Sequence, residues 1–173
     1  CAMVALRQSG RPQQAIAVAE RMLASGTGVD DEARGLALLT LGVSWIMLGD
    51  PQAAAPALAQ ARAVFDAGSG RNVFGSPHAA IAHGLALAML GDCEVALAAS
   101  DRGLSQLENP GMPLGFRIAE MRVTAADTLT QCGDAQRAEP LRAAGRELWS
   151  KAWRDGGGTF ELRGGGLRWG PVT

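Results

Sequence analysis

Four short stretches of one kind recur along the chain: SGRPQQA from Ser9, LGDPQAA from Leu48, LGDCEVA from Leu90 and CGDAQRA from Cys132. Their glycines, Gly10, Gly49, Gly91 and Gly133, stand 39, 42 and 42 residues apart. Self-similarity at such a period is the signature of stacked supersecondary units. Each stretch makes sense as the turn inside a helical hairpin. Glycine ends the first helix in the left-handed conformation without a Cβ penalty. The next residue starts the second helix: Asp50, Asp92 and Asp134 are good N-caps, and Pro51 sits where its missing N–H costs nothing. Arg11 departs from the pattern, although Pro12 keeps the same offset.

Helical periodicity flanks the turns. Before Gly49 come Leu38, Leu41, Trp45 and Leu48, and after it Ala54, Leu58, Ala61 and Phe65, each set stepping by three or four. Small residues such as Gly42, Ala54 and Ala61 recur where helices must approach closely. Aromatics are 5% of the chain with no tyrosine, a composition of packed helices rather than of a β-sandwich. These features predict an all-α fold of antiparallel helix pairs; a generic helical bundle with alanine-rich interfaces is the blander alternative.

The second unit resembles the tetratricopeptide repeat (TPR) family, with Leu38, Leu41, Gly42, Trp45, Ala54, Leu58 and Ala61 at the family's signature positions. The third unit keeps Gly84, Gly91, Asp92 and Ala96 but has Leu87 where an aromatic is usual, Ser100 for a bulky residue and Gly103 for the last alanine. The fourth keeps Gly133, Asp134 and Ala138, with Ala126 and Leu129 elsewhere in the pattern. The first unit, cut short, leaves Ala15. The resemblance implies a right-handed superhelix of about 3.5 repeats, an α-solenoid, over residues 1–154. A period of 42 exceeds the family's usual 34, which predicts longer helices or long connections such as Gly26 to Asp30 and Ala67 to Ser76. Long alanine- and arginine-rich repeats of this kind resemble those of bacterial signalling and transcription-regulator ATPases, including LuxR-type regulators. The segment from 155 to 173 holds seven glycines and no helical period, and is expected to be a disordered tail or to dock back through Leu167 and Trp169.

In this family, function resides on the face built by the first helix of each pair. The resemblance carries that face onto Leu36, Leu39, Val43, Ile46 and Met47, then His78, Ile81, Leu85, Ala88 and Met89, then Glu120, Val123, Asp127, Thr130 and Gln131. It implies a groove running from an apolar half to an acidic one, suited to an amphipathic protein or peptide segment with a basic end. Contiguous apolar surface of that size normally marks an interface. The same residues form internal core if the superhelix closes on itself, or a site for a neighbouring domain or a second copy of the chain. Glu120 and Asp127, seven apart on one helix face, suit an arginine or lysine from a ligand, or simply solvent.

Other functions find little support. Formal net charge is −1 and Lys151 is the only lysine, so no basic excess points to nucleic acid or an anionic membrane. The longest apolar stretch, Leu36 to Leu48, is too short to span a bilayer. The only histidines, His78 and His83, are five apart on different helix faces, with His83 at a core-type position and His78 expected on the surface. No nucleophile elbow, zinc-ligand spacing or phosphate loop is visible, so no catalytic residue, metal or cofactor is expected. Basic Arg137, Arg142, Arg146, Lys151 and Arg154 alternate with Glu139, Glu147 and Asp155, as on a solvated helix. Cys1, Cys93 and Cys132 have no regular spacing, which reads as ordinary thiols in a reducing cytoplasm. The chain lacks an initiator methionine and is expected to be part of something longer, either a binding module acting in trans or a regulatory segment beside an ATPase or DNA-binding domain.

Overall fold

The computed structural model describes residues 2–26, 28–68, 73–107 and 115–155, with the side chains of 152–155 left aside. The sequence expectations for residues 156–173 lie outside these bounds. The described residues form eight helices and no strand: α1 (Ala2–Gln8), α2 (Pro12–Ala24), α3 (Asp31–Met47), α4 (Pro51–Ala67), α5 (Gly75–Met89), α6 (Cys93–Leu107), α7 (Phe116–Gln131) and α8 (Ala135–Asp155). The chain is all-α, and successive helices pack on one another. The closest partners are α3 with α4, α5 with α6 and α7 with α8.

The turns inside these pairs share one geometry. Gly10, Gly49, Gly91 and Gly133 all have positive φ, between 75° and 88°. At each, the glycine N–H and the following N–H donate back to carbonyls in the last turn of the preceding helix: Gly49 to Ile46 and Asp50 to Trp45, Gly91 to Ala88 and Asp92 to Leu87, Gly133 to Thr130 and Asp134 to Leu129, Gly10 to Arg7 and Arg11 to Leu6. This pair of bonds is the Schellman closure, which satisfies carbonyls the helix itself leaves open. The aspartates then cap the next helix. Asp50 Oδ1 accepts from the Ala53 N–H at 2.9 Å and Asp134 Oδ1 from the Arg137 N–H at 3.1 Å, while Asp92 Oδ1 lies at a longer 3.5 Å from the Val95 nitrogen. Arg11 makes no side-chain cap, so α2 starts on Pro12 alone.

Close approach within the α3–α4 and α5–α6 pairs is obtained at glycine. A Cβ on Gly42 would lie 2.4 Å from Leu58 Cγ, and one on Gly84 would lie 2.8 Å from the Ala96 carbonyl oxygen. Leu58, Ala54 and Ala61 are fully buried there, with Leu38 and Leu39 against them and Trp45 and Phe65 packed partly buried at the margin. Leu48 departs from the predicted stripe: as the C-cap of α3 it points outward and is 37% exposed. Farther along, Ile118 and Met121 are buried with Ile81 and Leu107, and Trp149 packs edge-on against Phe116 at 5.1 Å.

The cysteine expectation is overturned. Cys93, first residue of α6, and Cys132, the C-cap of α7, are joined in a disulfide with Cα atoms 5.5 Å apart. Both belong to the recurrent turns, and stacking one pair on the next brings these turns together along one edge. Disulfides persist in oxidising surroundings, so the argument from unpaired thiols to a reducing cytoplasm falls. Among the described residues no helix is long and apolar enough to cross a membrane.

Candidate functional site

The face nominated from the sequence runs across α3, α5 and α7, which stand side by side in that order. Equivalent positions are 42 residues apart, so the face resolves into layers, each with one residue from each helix. Burial falls along these layers toward the turn edge. Leu39, Ile81 and Val123 are 6%, 0% and 7% exposed. One helical turn on, Leu85 is still buried, while Val43 and Asp127 are half-buried. At the C-terminal ends Met47 is 37% exposed, Met89 is half-buried and Gln131 is open. Ile46 is half-buried, Ala88 buried and Thr130 exposed. Leu39, His78, Ile81, Leu85 and Val123 are therefore internal contacts, a correction to the open groove expected there; Val43, Met47, Met89 and Asp127 keep a surface.

The buried end of the face is closed by the chain itself. The Arg7 Nη1 of α1 donates to Glu120 Oε1 of α7 at 2.5 Å, joining residues 113 apart, and the two side chains are 9% and 17% exposed. His78 Nε2 lies 3.9 Å from the same carboxylate oxygen. The expectation of His78 as a surface histidine is thus wrong, since the residue is 5% exposed. Burial dominates its titration and, with the positive charges of Arg7 and Arg117, outweighs Glu120, leaving His78 neutral with a pKa lowered to about 4. For Glu120 burial pulls upward, but the charge of Arg7, then His78, the Arg7 hydrogen bond and Arg117 together hold the carboxyl at about 2. At neutral pH the cluster is an arginine–glutamate ion pair against a neutral imidazole.

Asp127 is spent in the same way. Arg142 of α8 donates to its Oδ1 at 2.8 Å and also to the Thr130 hydroxyl at 3.0 Å. Burial raises the Asp127 pKa, and the Arg142 hydrogen bond and charge do not fully offset it. Both carboxylates that the sequence offered to a ligand thus take arginines from the chain itself. Arg142, read as part of a solvated helix, turns inward with its side chain 18% exposed. The acidic half of the proposed groove is neutralised, and with it the expectation of a basic-ended ligand.

His83 is half-buried, with burial and then Arg62 lowering its pKa. Among the described residues no three His, Cys, Asp or Glu side chains converge as metal ligands would. A feature that sequence reasoning missed is a cleft of about 690 Å³ between α6, α7 and α8. Its walls include Leu104, Leu107, Leu129 and Leu141, with the arginines Arg122 and Arg137 beside them. A basic residue inside an apolar helical stripe, as Arg122 is between Ile118, Met121 and Ala125, was the available signal.

No family model, curated protein or solved structure matches the chain.

Proposed function

We propose that the chain is a non-catalytic, TPR-like module, a right-handed superhelix of about 3.5 repeats, that binds a segment of a partner protein at the open end of its first-helix face. The observation carrying this reading is the burial gradient: the face is core at its N-terminal layers and, over α3 and α5, apolar surface at its C-terminal ones. Val43, Met47 and Met89 line the open part, and Leu48 and Leu90, 37% and 44% exposed, extend it around the turn edge. Methionine adapts to irregular apolar partners, and an amphipathic helix laid into such a surface uses anchors at helical spacing. With Asp127 satisfied by Arg142, the partner needs apolar anchors and no basic end.

The test is a peptide-display selection against the intact chain, repeated with Met47→Glu/Met89→Glu. These positions are open enough to accept charge without disturbing the core, which far-ultraviolet circular dichroism verifies. Enrichment of leucine- or phenylalanine-bearing sequences lost in the variant supports the proposal; identical selections from both proteins refute it. A second reading, a regulatory segment packed on a neighbouring domain of a longer chain, is favoured by the apolar residues on the turn edge, where Val95 is 50% exposed. A flat edge suits a domain surface better than a peptide.

A further inference from the structure

The cleft between α6, α7 and α8 lies on the other side of α7 from the ion-paired cluster and plays no part in the reading above. We propose that it is a binding site for a small amphipathic carboxylate, an apolar chain ending in a carboxyl group. Three observations carry this. First, its volume of about 690 Å³ falls in the range of small-molecule sites, roughly 300–1,000 Å³. Leucines from three helices converge on it: Leu104 and Leu107 from α6, Leu129 from α7 and Leu141 from α8. Leu141 lies at the junction of two core clusters, so the apolar wall is continuous with the interior.

Second, an unpaired arginine among the described residues stands beside that wall. Arg122 is half-buried and, unlike Arg7, Arg137 and Arg142, has no carboxylate within ion-pairing distance among the described residues. Its position is built: Gly145 of α8 has no side chain, and a Cβ there would lie 3.3 Å from Arg122 Cβ and 3.0 Å from the Ala119 carbonyl oxygen. The missing side chain lets the arginine stem lie against the α8 backbone. A guanidinium held beside leucines favours an anion with an apolar body, because the carboxylate gains a charge-assisted bond while its chain leaves water.

Third, an ion pair stands at the margin of the cleft, where Arg137 is one of its lining residues. Arg137 of α8 donates to Asp101 of α6 at 2.8 Å, a strut across the space between helices that make no backbone approach to one another. A partner helix lying along α6 and α8 would have to break it. A small ligand on the leucine wall leaves it intact, which favours a free carboxylate over a protein segment.

The experiment uses decanoate, decanol and decylamine as probes, each kept below its aggregation concentration, titrated into isotope-labelled full-length chain and followed by amide shifts. Decanoate should shift amides of α6, α7 and α8 around Leu104, Arg122 and Leu141, with decanol at least tenfold weaker and decylamine weaker again. Arg122→Gln should weaken decanoate at least tenfold and leave decanol unchanged, and Arg122→Lys should retain most of the affinity. Should Arg122→Gln lose helicity, Leu104→Glu, placing a carboxylate in the cleft, supplies the same test by repelling decanoate. Equal affinity for decanoate and decanol, no effect of either variant, or shifts confined to the ends of α3 and α5 overturns the proposal. The last outcome would leave the open first-helix face as the site.

Discussion

Replacing Glu120 by glutamine removes one charge from the Arg7 cluster with little change of shape. The glutamine oxygen still accepts from Arg7, but a guanidinium only 8% exposed loses its counter-charge. The native carboxyl sits at about 2 against 4.5 for the free side chain, which corresponds to at most about 3 kcal/mol of stability at neutral pH, where His78 is uncharged and its share of the shift is absent. Breaking a buried pair from one side costs about 3–5 kcal/mol by mutation, so both routes agree. Against a total of about 5–15 kcal/mol this is a large fraction, and in a chain of this size it lowers Tm by about 6–12 °C. The sign with pH follows from a depressed acid: the contribution is complete above about 4.5 and is lost as pH falls toward 2. Urea unfolding followed by circular dichroism should show the full loss at pH 7, and converging curves for wild type and Glu120→Gln near pH 2. Arg7→Met/Glu120→Leu should recover most of the deficit, since it removes both charges and keeps the packing. A loss below about 1 kcal/mol at pH 7, the size of an exposed pair, would show that α1 is not held to α7 by a buried bridge.

His78 titrates in a separate window. Its pKa is lowered in the folded state from 6.5 to about 4, so the unfolded chain takes the proton first and about 3 kcal/mol is lost as pH falls from 6.5 to 4; urea titrations of His78→Gln should be flatter over that range. Reducing the Cys93–Cys132 bond, which closes a separation of 39 residues, should cost about 4 kcal/mol by loop entropy, seen as a lower urea midpoint with dithiothreitol and no further effect on Cys132→Ser. Gly84→Ala forces a methyl group to 2.8 Å from the Ala96 carbonyl and should cost about 1–3 kcal/mol. Gly133→Ala meets nothing within 4 Å but holds φ at +81°, so its cost should be nearer 1–2 kcal/mol; chemical denaturation of the two variants orders them.

What the sequence disclosed was local. The Gly–Asp turns were legible because their geometry is set within six residues; the first-helix face was only what the resemblance to tetratricopeptide repeats implied, and helical periodicity adds which residues share a side. Periodicity does not fix depth. Ile81 and Met89 share that face, yet one is sealed and the other half-open, because burial depends on what the neighbouring helices cover: Ile81 lies against Gly103 of α6 and packs with Ile118 and Met121 of α7. The partners of Glu120 and Asp127 were illegible for the same reason: Arg7 is 113 residues away, and α8 reads as a solvated helix until the fold turns Arg142 inward. The disulfide does leave a signal in the sequence. Cys93 follows one turn glycine by two residues and Cys132 precedes the next by one, so stacked turns set them at one edge.

The sulfur bridge also changes what the chain can do under load. A pull applied at the two termini is carried from residue 93 to residue 132 through the bond itself, bypassing most of α6 and α7. The 39-residue separation, worth about 130 Å of extended chain, stays out of the stretched length until the bond is reduced. A reductant would thus set how far this protein can extend between two attachment points, and not only how firmly it stays folded.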